Sequence, residues 1–119
     1  MIEKTVEIDG KTYRLRSSAL IPKLYRAKFG EDMVSDMRQL AKAYRETQGD
    51  PDKMLSVFDL EVFERAAWIM LKHAGEDVGD DIDEWLDGLD GVFSVYEALP
   101  TILELWNWNN KTTSVPKKK

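Results

Sequence analysis

The segment from Leu60 to Ala74 constrains this fold more than any other. Placed on a helix, Leu60, Phe63, Ala67, Met70, Leu71 and Ala74 form one stripe. Val62, Ala66 and Ile69 widen it, and Trp68 flanks it. A helix that is apolar over most of its circumference must be surrounded. The longest unbroken apolar run, Ala66 to Leu71, is six residues. Crossing a bilayer takes about 20, so the surround is protein and no membrane partner is expected. The chain has 119 residues, enough for one domain. A domain of that size buries roughly two-thirds of its unfolded surface.

The rest of the chain supplies elements to cover that helix. Residues 5–16 read as a β-hairpin: Val6 and Ile8 alternate with Glu7, Tyr13 and Leu15 alternate with Arg14, and Asp9-Gly10 lies between them. Asp-Gly between alternating runs is a strong turn signal. Each strand has one apolar face, which must lie on something. Ser17-Ser18 reads as a helix N-cap, with Pro22 in the first turn, where its missing N–H is tolerated. Leu20, Ile21, Leu24 and Tyr25 follow at helical spacing, and Gly30 ends the helix. A second helix opens near Glu31-Asp32 and carries Met33, Met37, Leu40, Ala41 and Tyr44 on one stripe. It stops by Gln48-Gly49, and Asp50-Pro51-Asp52 is a turn. A short helical turn at 52–58 and a Ser56/Asp59 capping box lead into the central helix, which Gly75 caps.

Residues 76–90 hold eight acids and no base, with Ile82, Trp85, Leu86 and Leu89 at i, i+3, i+4 and i+7. That spacing predicts a short acidic amphipathic helix. The last helix keeps Val92, Val95, Tyr96, Leu99, Ile102, Leu103 and Trp106 on one face, with Pro100 kinking or splitting it. The prediction is a mainly α domain over 1–108. It has an N-terminal hairpin at about 5–16 and helices at about 18–29, 31–48, 57–74, 81–88 and 92–108, kinked at Pro100. A polar, disordered tail over 109–119 follows.

Composition narrows the chemistry. There is no cysteine and one histidine, His73, so thiolate chemistry and histidine-rich metal sites are excluded. Met-Ile-Glu-Lys does not start a secretory leader, and a reducing cytosol fits the missing cysteines. The net charge of −5 lacks the basic footprint of a nucleic-acid binder. The acidic run fails as an EF-hand. Of starts at Asp77, Asp80, Asp81 and Asp83, only the last places a glycine at position 6, and it puts Ser94 at 12. Solvated acids on a helix face account for it better. His73, near a helix C-terminus, reads as a cap or surface residue. Neither a nucleophile elbow nor a phosphate loop occurs. Catalytic residues, metal and cofactor are therefore all assigned as none, and an enzyme is not expected.

The apolar surplus points to partners instead. On a regular last helix, Trp108 lies opposite the stripe ending at Trp106, Leu105 lies to its side, and Phe93 is off the stripe. Phe93, Leu105, Trp106 and Trp108 are thus the candidate partner-binding residues. The alternative is that the break at Pro100 rephases the helix and brings them into one core. Met33, Met37, Met54 and Met70 suit an adaptable surface, although core filling is the commoner use.

Tyr13 to Asp32 (Tyr-Arg-Leu-Arg-Ser-Ser-Ala-Leu-Ile-Pro-Lys-Leu-Tyr-Arg-Ala-Lys-Phe-Gly-Glu-Asp) resembles the start of tail assembly chaperones from long-tailed, siphovirus-type phages and prophages of Gram-positive bacteria. Phe63-Glu64-Arg65-Ala66-Ala67-Trp68 and Met70-Leu71-Lys72-His73-Ala74 are similar to the same family. So are the acidic Trp85-Leu86 helix and the stretches Ala98-Leu99-Pro100 and Leu105-Trp106. The similarity spans most of residues 5–108 and rests on packing and capping patterns in a joint order.

The resemblance implies a small helical protein of the host cytoplasm, not carried into the mature virion. It would bind the long, helical, apolar tape measure protein and keep it soluble while the tail tube polymerises. The tail tube protein and a second copy of the chain stand as further partners. A longer frameshifted form is also implied, and Lys117-Lys118-Lys119 is compatible with a slippery codon run. Two other classes stay open. One is an acidic DNA mimic that inhibits a host DNA-binding protein. The other is a structural tail or connector subunit.

Overall fold

The computed structural model describes residues 2–47, 53, 57–91 and 94–114, without the side chains of 57–59 and 107–114. An antiparallel hairpin, β1 (Ile2–Ile8) and β2 (Lys11–Ser17), leads into α1 (Ile21–Phe29) and α2 (Met33–Thr47). Then come α3 (Val57–His73), α4 (Ile82–Asp87), a 3-10 helix (Ser94–Ala98) and α5 (Leu99–Ser114). The protein is mainly α with an N-terminal hairpin, as its patterning predicts.

The hairpin turns on Asp9 (φ 58) and Gly10 (φ 82), the left-handed pair that a two-residue turn between twisted strands requires. Pairing runs from Ile8↔Lys11 out to Ile2↔Ser17, so β1 starts earlier than its alternation suggests. Val6, Ile8, Tyr13 and Leu15 form the buried face.

α3 is the central element. It packs against β2, α1, α2, the 3-10 helix and α5. Val62, Phe63, Ala66, Ala67, Met70 and Leu71 are fully buried. The phenyl ring of Phe63 stacks on Tyr96 of the 3-10 helix, with centroids 4.9 Å apart. The methionines Met33, Met37 and Met70 are core residues, each no more than 1% exposed, rather than partner surface.

Several boundaries differ from the sequence expectation. α1 starts at Ile21 and not at Ser18. The Ser18 hydroxyl accepts from the Leu20 N–H at 3.2 Å, and its carbonyl accepts from Ile21 N at 3.1 Å, so Ser18 forms a turn ahead of the helix. Gly30 ends α1 at φ 74, its N–H bonded to the Arg26 carbonyl. Asp32 caps α2 by accepting from Val34 N at 3.0 Å.

The last helix divides into the 3-10 helix and α5, with Pro100 in the first turn of α5, where no N–H is needed. α5 continues to Ser114, beyond the end of its apolar stripe. The predicted turn at 50–52, the Ser56/Asp59 capping box, Met54 and the terminal lysines lie outside the described residues or side chains. So does most of the expected helical turn at 52–58.

α1 and α2 are tied together by a buried polar pair. The Tyr25 hydroxyl donates to Asp36 Oδ2 at 2.8 Å, and Tyr25 is fully buried. Burial first, then the Asp36 carboxylate, push the phenol well above its ordinary value.

Candidate functional site

An open groove of about 600 Å³ runs between α1 and α3. Leu20, Leu24, Ala27 and Lys28 line one side, and Trp68, Ile69, Lys72, His73 and Asp80 line the rest. α1 carries two adjacent stripes. Ile21 and Tyr25 turn inward and are fully buried. Leu20, Leu24 and Ala27, at i, i+4 and i+7, border the groove, and Leu20 is 45% exposed. Among the described residues, only Val34 joins it as an exposed large hydrophobic.

Trp68 organises one end of the groove. Its indole N–H donates to the Val78 carbonyl at 3.2 Å, and Phe29 meets it edge-on at 6.2 Å between centroids. The ammonium groups of Lys28 and Lys72 stand 5.2 and 5.5 Å from the ring centroid, close enough for cation–π attraction. Both lysines also hold the loop that follows α3. Lys28 Nζ donates to the Asp80 carbonyl at 2.9 Å. Lys72 Nζ donates to the Gly79 carbonyl at 2.5 Å and to the Asp80 carboxylate at 2.6 Å. The Lys72 hydrogen bond and charge hold the Asp80 carboxyl below its ordinary range, although its side chain is 98% exposed.

The loop is pinned again at Glu76, which accepts from the backbone N–H of Arg14 at 2.7 Å and from its Nε at 3.2 Å. Those bonds, the backbone one first, lower the Glu76 pKa. Gly75 and Gly79 supply the left-handed residues that the loop needs, at φ 87 and 71. Val78 is buried beneath it.

His73 closes the other end, 3.1 Å from the Ser18 hydroxyl through Nε2. Burial, then the nearby Arg16 charge, lower its pKa. His73 is half-buried at the end of α3. The groove is thus apolar along its length, with Ser18 and His73 at one end and Lys28 and Lys72 at the Trp68 end.

Two of the sequence-predicted partner residues, Leu105 and Trp106, lie in the core and not at the surface. Leu105 is fully buried and Trp106 is 9% exposed, both in the main core. The physical reason is the new start of α5 at Leu99. It contacts β1, β2, α3 and the 3-10 helix, so more than one of its faces is covered. For Leu105 the structure thus follows the second alternative, in which the break at Pro100 brings it into the core. Phe93 and the side chain of Trp108 lie outside the described residues and side chains. The groove was signalled by the width of the Leu20, Ile21, Leu24, Tyr25 pattern plus Ala27, which exceeds what one contact covers.

The acidic segment is partly used inside the molecule. Glu76 and Asp80 are paired as described, and Asp81 caps α4 by accepting from Asp83 N at 2.9 Å. Trp85 packs edge-on against Tyr13. A smaller cleft of about 210 Å³ lies beside Glu64, Asp87 and Asp90. Burial, then the charges of Glu61 and Asp83, raise the Glu64 pKa. Among the described residues, no group of three or more His, Asp or Glu is placed to hold a metal ion. No helix among them is long and apolar enough to cross a membrane.

Compared with protein families, curated proteins and solved structures, the chain finds no match.

Proposed function

We propose that this chain is a non-enzymatic assembly chaperone for a phage tail. It binds the tape measure protein in the host cytoplasm, holds it soluble while the tube forms, and stays out of the finished particle. One observation carries the reading. Two of the segments that resemble tail assembly chaperones, 13–32 and 63–74, are far apart in sequence, yet β2 and α1 both pack on α3, and α1 and α3 line the groove. An open, elongated apolar groove suits the side of a helix, which is the helix-in-groove mode of recognition. Burying the exposed part of Leu20 alone contributes on the order of 1 kcal/mol, so several such contacts along a partner are needed. The net charge of −5 favours solubility of a complex whose other member is apolar.

The test is co-expression with the tape measure protein encoded beside this chain. Soluble co-elution is expected, as is the absence of this chain from purified virions by mass spectrometry. A tape measure protein that stays insoluble, with and without any frameshifted long form, would reject the reading. Presence in virions would favour a structural subunit.

The exposed acids Asp77, Asp83, Glu84, Asp87 and Asp90 favour a second reading, inhibition of a host DNA-binding protein. Such binding would fall steeply with salt and with Asp→Asn changes, as groove binding by apolar contact would not.

A further inference from the structure

We infer that the α1–α3 groove takes an amphipathic helix with a two-turn apolar stripe and a carboxylate at one end, which Lys28 and Lys72 receive in place of Asp80. The inference rests on the chaperone reading and specifies its partner's chemistry. The length follows from Leu20, Leu24 and Ala27. Seven residues of helix rise about 10 Å, so the complementary stripe is also i, i+3 or i+4, and i+7. Ile69 and Leu24 supply the apolar depth between the helices.

The polarity follows from charge. α1 carries Lys23, Arg26 and Lys28 and no acid. Lys28 and Lys72 converge on the Trp68 ring, so the cationic end of the groove is built by both helices. One carboxylate stands at this end, that of Asp80, and it is paired with Lys72. It is almost fully exposed, and an exposed ion pair is weakly held. Its loop is retained by other bonds, from Lys28 to the Asp80 carbonyl and from Lys72 to the Gly79 carbonyl. The side chain can therefore leave without the loop leaving. A partner carboxylate that arrives with an apolar stripe is positioned by that stripe, and so competes for the lysines as a tethered group.

The experiment is capture of the co-expressed tape measure protein by full-length variants, each checked for wild-type helical signal by circular dichroism. L20E combined with A27E places carboxylates on the groove wall at exposed positions and is expected to reduce capture about tenfold or more. V34E, at the exposed hydrophobic away from the groove, is expected to capture like wild type. K28Q with K72Q is expected to weaken capture several-fold and to remove the shallow salt dependence that one exposed ion pair confers. D80N removes the competing charge and is expected to strengthen capture. Full capture by a folded L20E/A27E chain overturns the groove while the chaperone reading stands. Unchanged capture by K28Q/K72Q, or weaker capture by D80N, overturns the carboxylate exchange. Failure of the wild-type chain to hold the tape measure protein soluble overturns both.

Discussion

Replacing Tyr25 by Phe probes the joint on which the groove depends. The phenol is fully buried, and its hydroxyl donates to Asp36 Oδ2 at 2.8 Å, with Asp36 7% exposed. Phenylalanine keeps the ring and its edge-on contact with Phe29 at 5.1 Å, so the change isolates the hydroxyl. A hydrogen bond to a charged group is worth about 1.5–3 kcal/mol, and a buried carboxylate that loses its donor carries that loss in full. The expected destabilisation is about 2 kcal/mol. For a chain of this length that lowers Tm by roughly 8 °C. Urea unfolding followed by circular dichroism at pH 7 measures it, and D36N, which keeps an acceptor oxygen, should cost less. The same pair sets an alkaline limit. The folded phenol is held well above its ordinary value of 10.0, so the unfolded chain loses this proton first. The stabilising contribution is fully present below pH 10.0 and declines as pH rises above it, and Y25F should flatten that decline. A loss under about 0.5 kcal/mol would refute the reasoning, because it would mean that water reaches Asp36 when the hydroxyl is gone.

Three further outcomes follow from the packing. L105A, at a fully buried position, should cost about 2–5 kcal/mol in urea unfolding, so alanine there tests the core before it tests any partner. D9A removes the acceptors for Ser94 Oγ and Asp90 N, both at 3.0 Å, and puts alanine at φ 58; about 1–2 kcal/mol should be lost, and less in D9N, which tolerates that backbone. Glu76 is held below its ordinary value of 4.5, so its stabilisation is complete above pH 4.5 and is lost as pH falls through the lower folded value. An acid titration of E76Q should then show a shallower loss than wild type over that range.

Much of the architecture was legible because its causes are local. Asp9-Gly10 specifies a turn through the left-handed backbone both residues adopt. Met33, Met37 and Leu40 define the buried side of α2 by period alone. Asp36, on the same side, was not legible. A carboxylate within an apolar stripe reads as a surface residue until its donor is known, and the donor Tyr25 belongs to another helix. The loop after α3 was likewise read as solvated acid. Two of its acids instead find Arg14 and Lys72; the first contact exists only once the hairpin and α3 lie side by side, the second once the loop folds back on α3.

Leu20 and Leu105 exchange the places that patterning assigns them. Leu20 sits on the stripe with Ile21 and Tyr25 yet is 45% exposed, while Leu105 falls beside its stripe yet is fully buried. Periodicity establishes that a residue shares a side of a helix with others, because the helix has 3.6 residues per turn wherever it is placed. How many sides are covered depends on the neighbours. The 3-10 helix restarts the last helix among β1, β2 and α3, and covers Leu105. Among the described residues, none packs over the outer side of α1, and a groove is left. Helix identity, turn geometry and the need for a surrounded α3 therefore reside in the chain itself. Which apolar side chains remain available to a partner was settled only when the elements packed, since accessibility belongs to the assembled surface and not to any one segment.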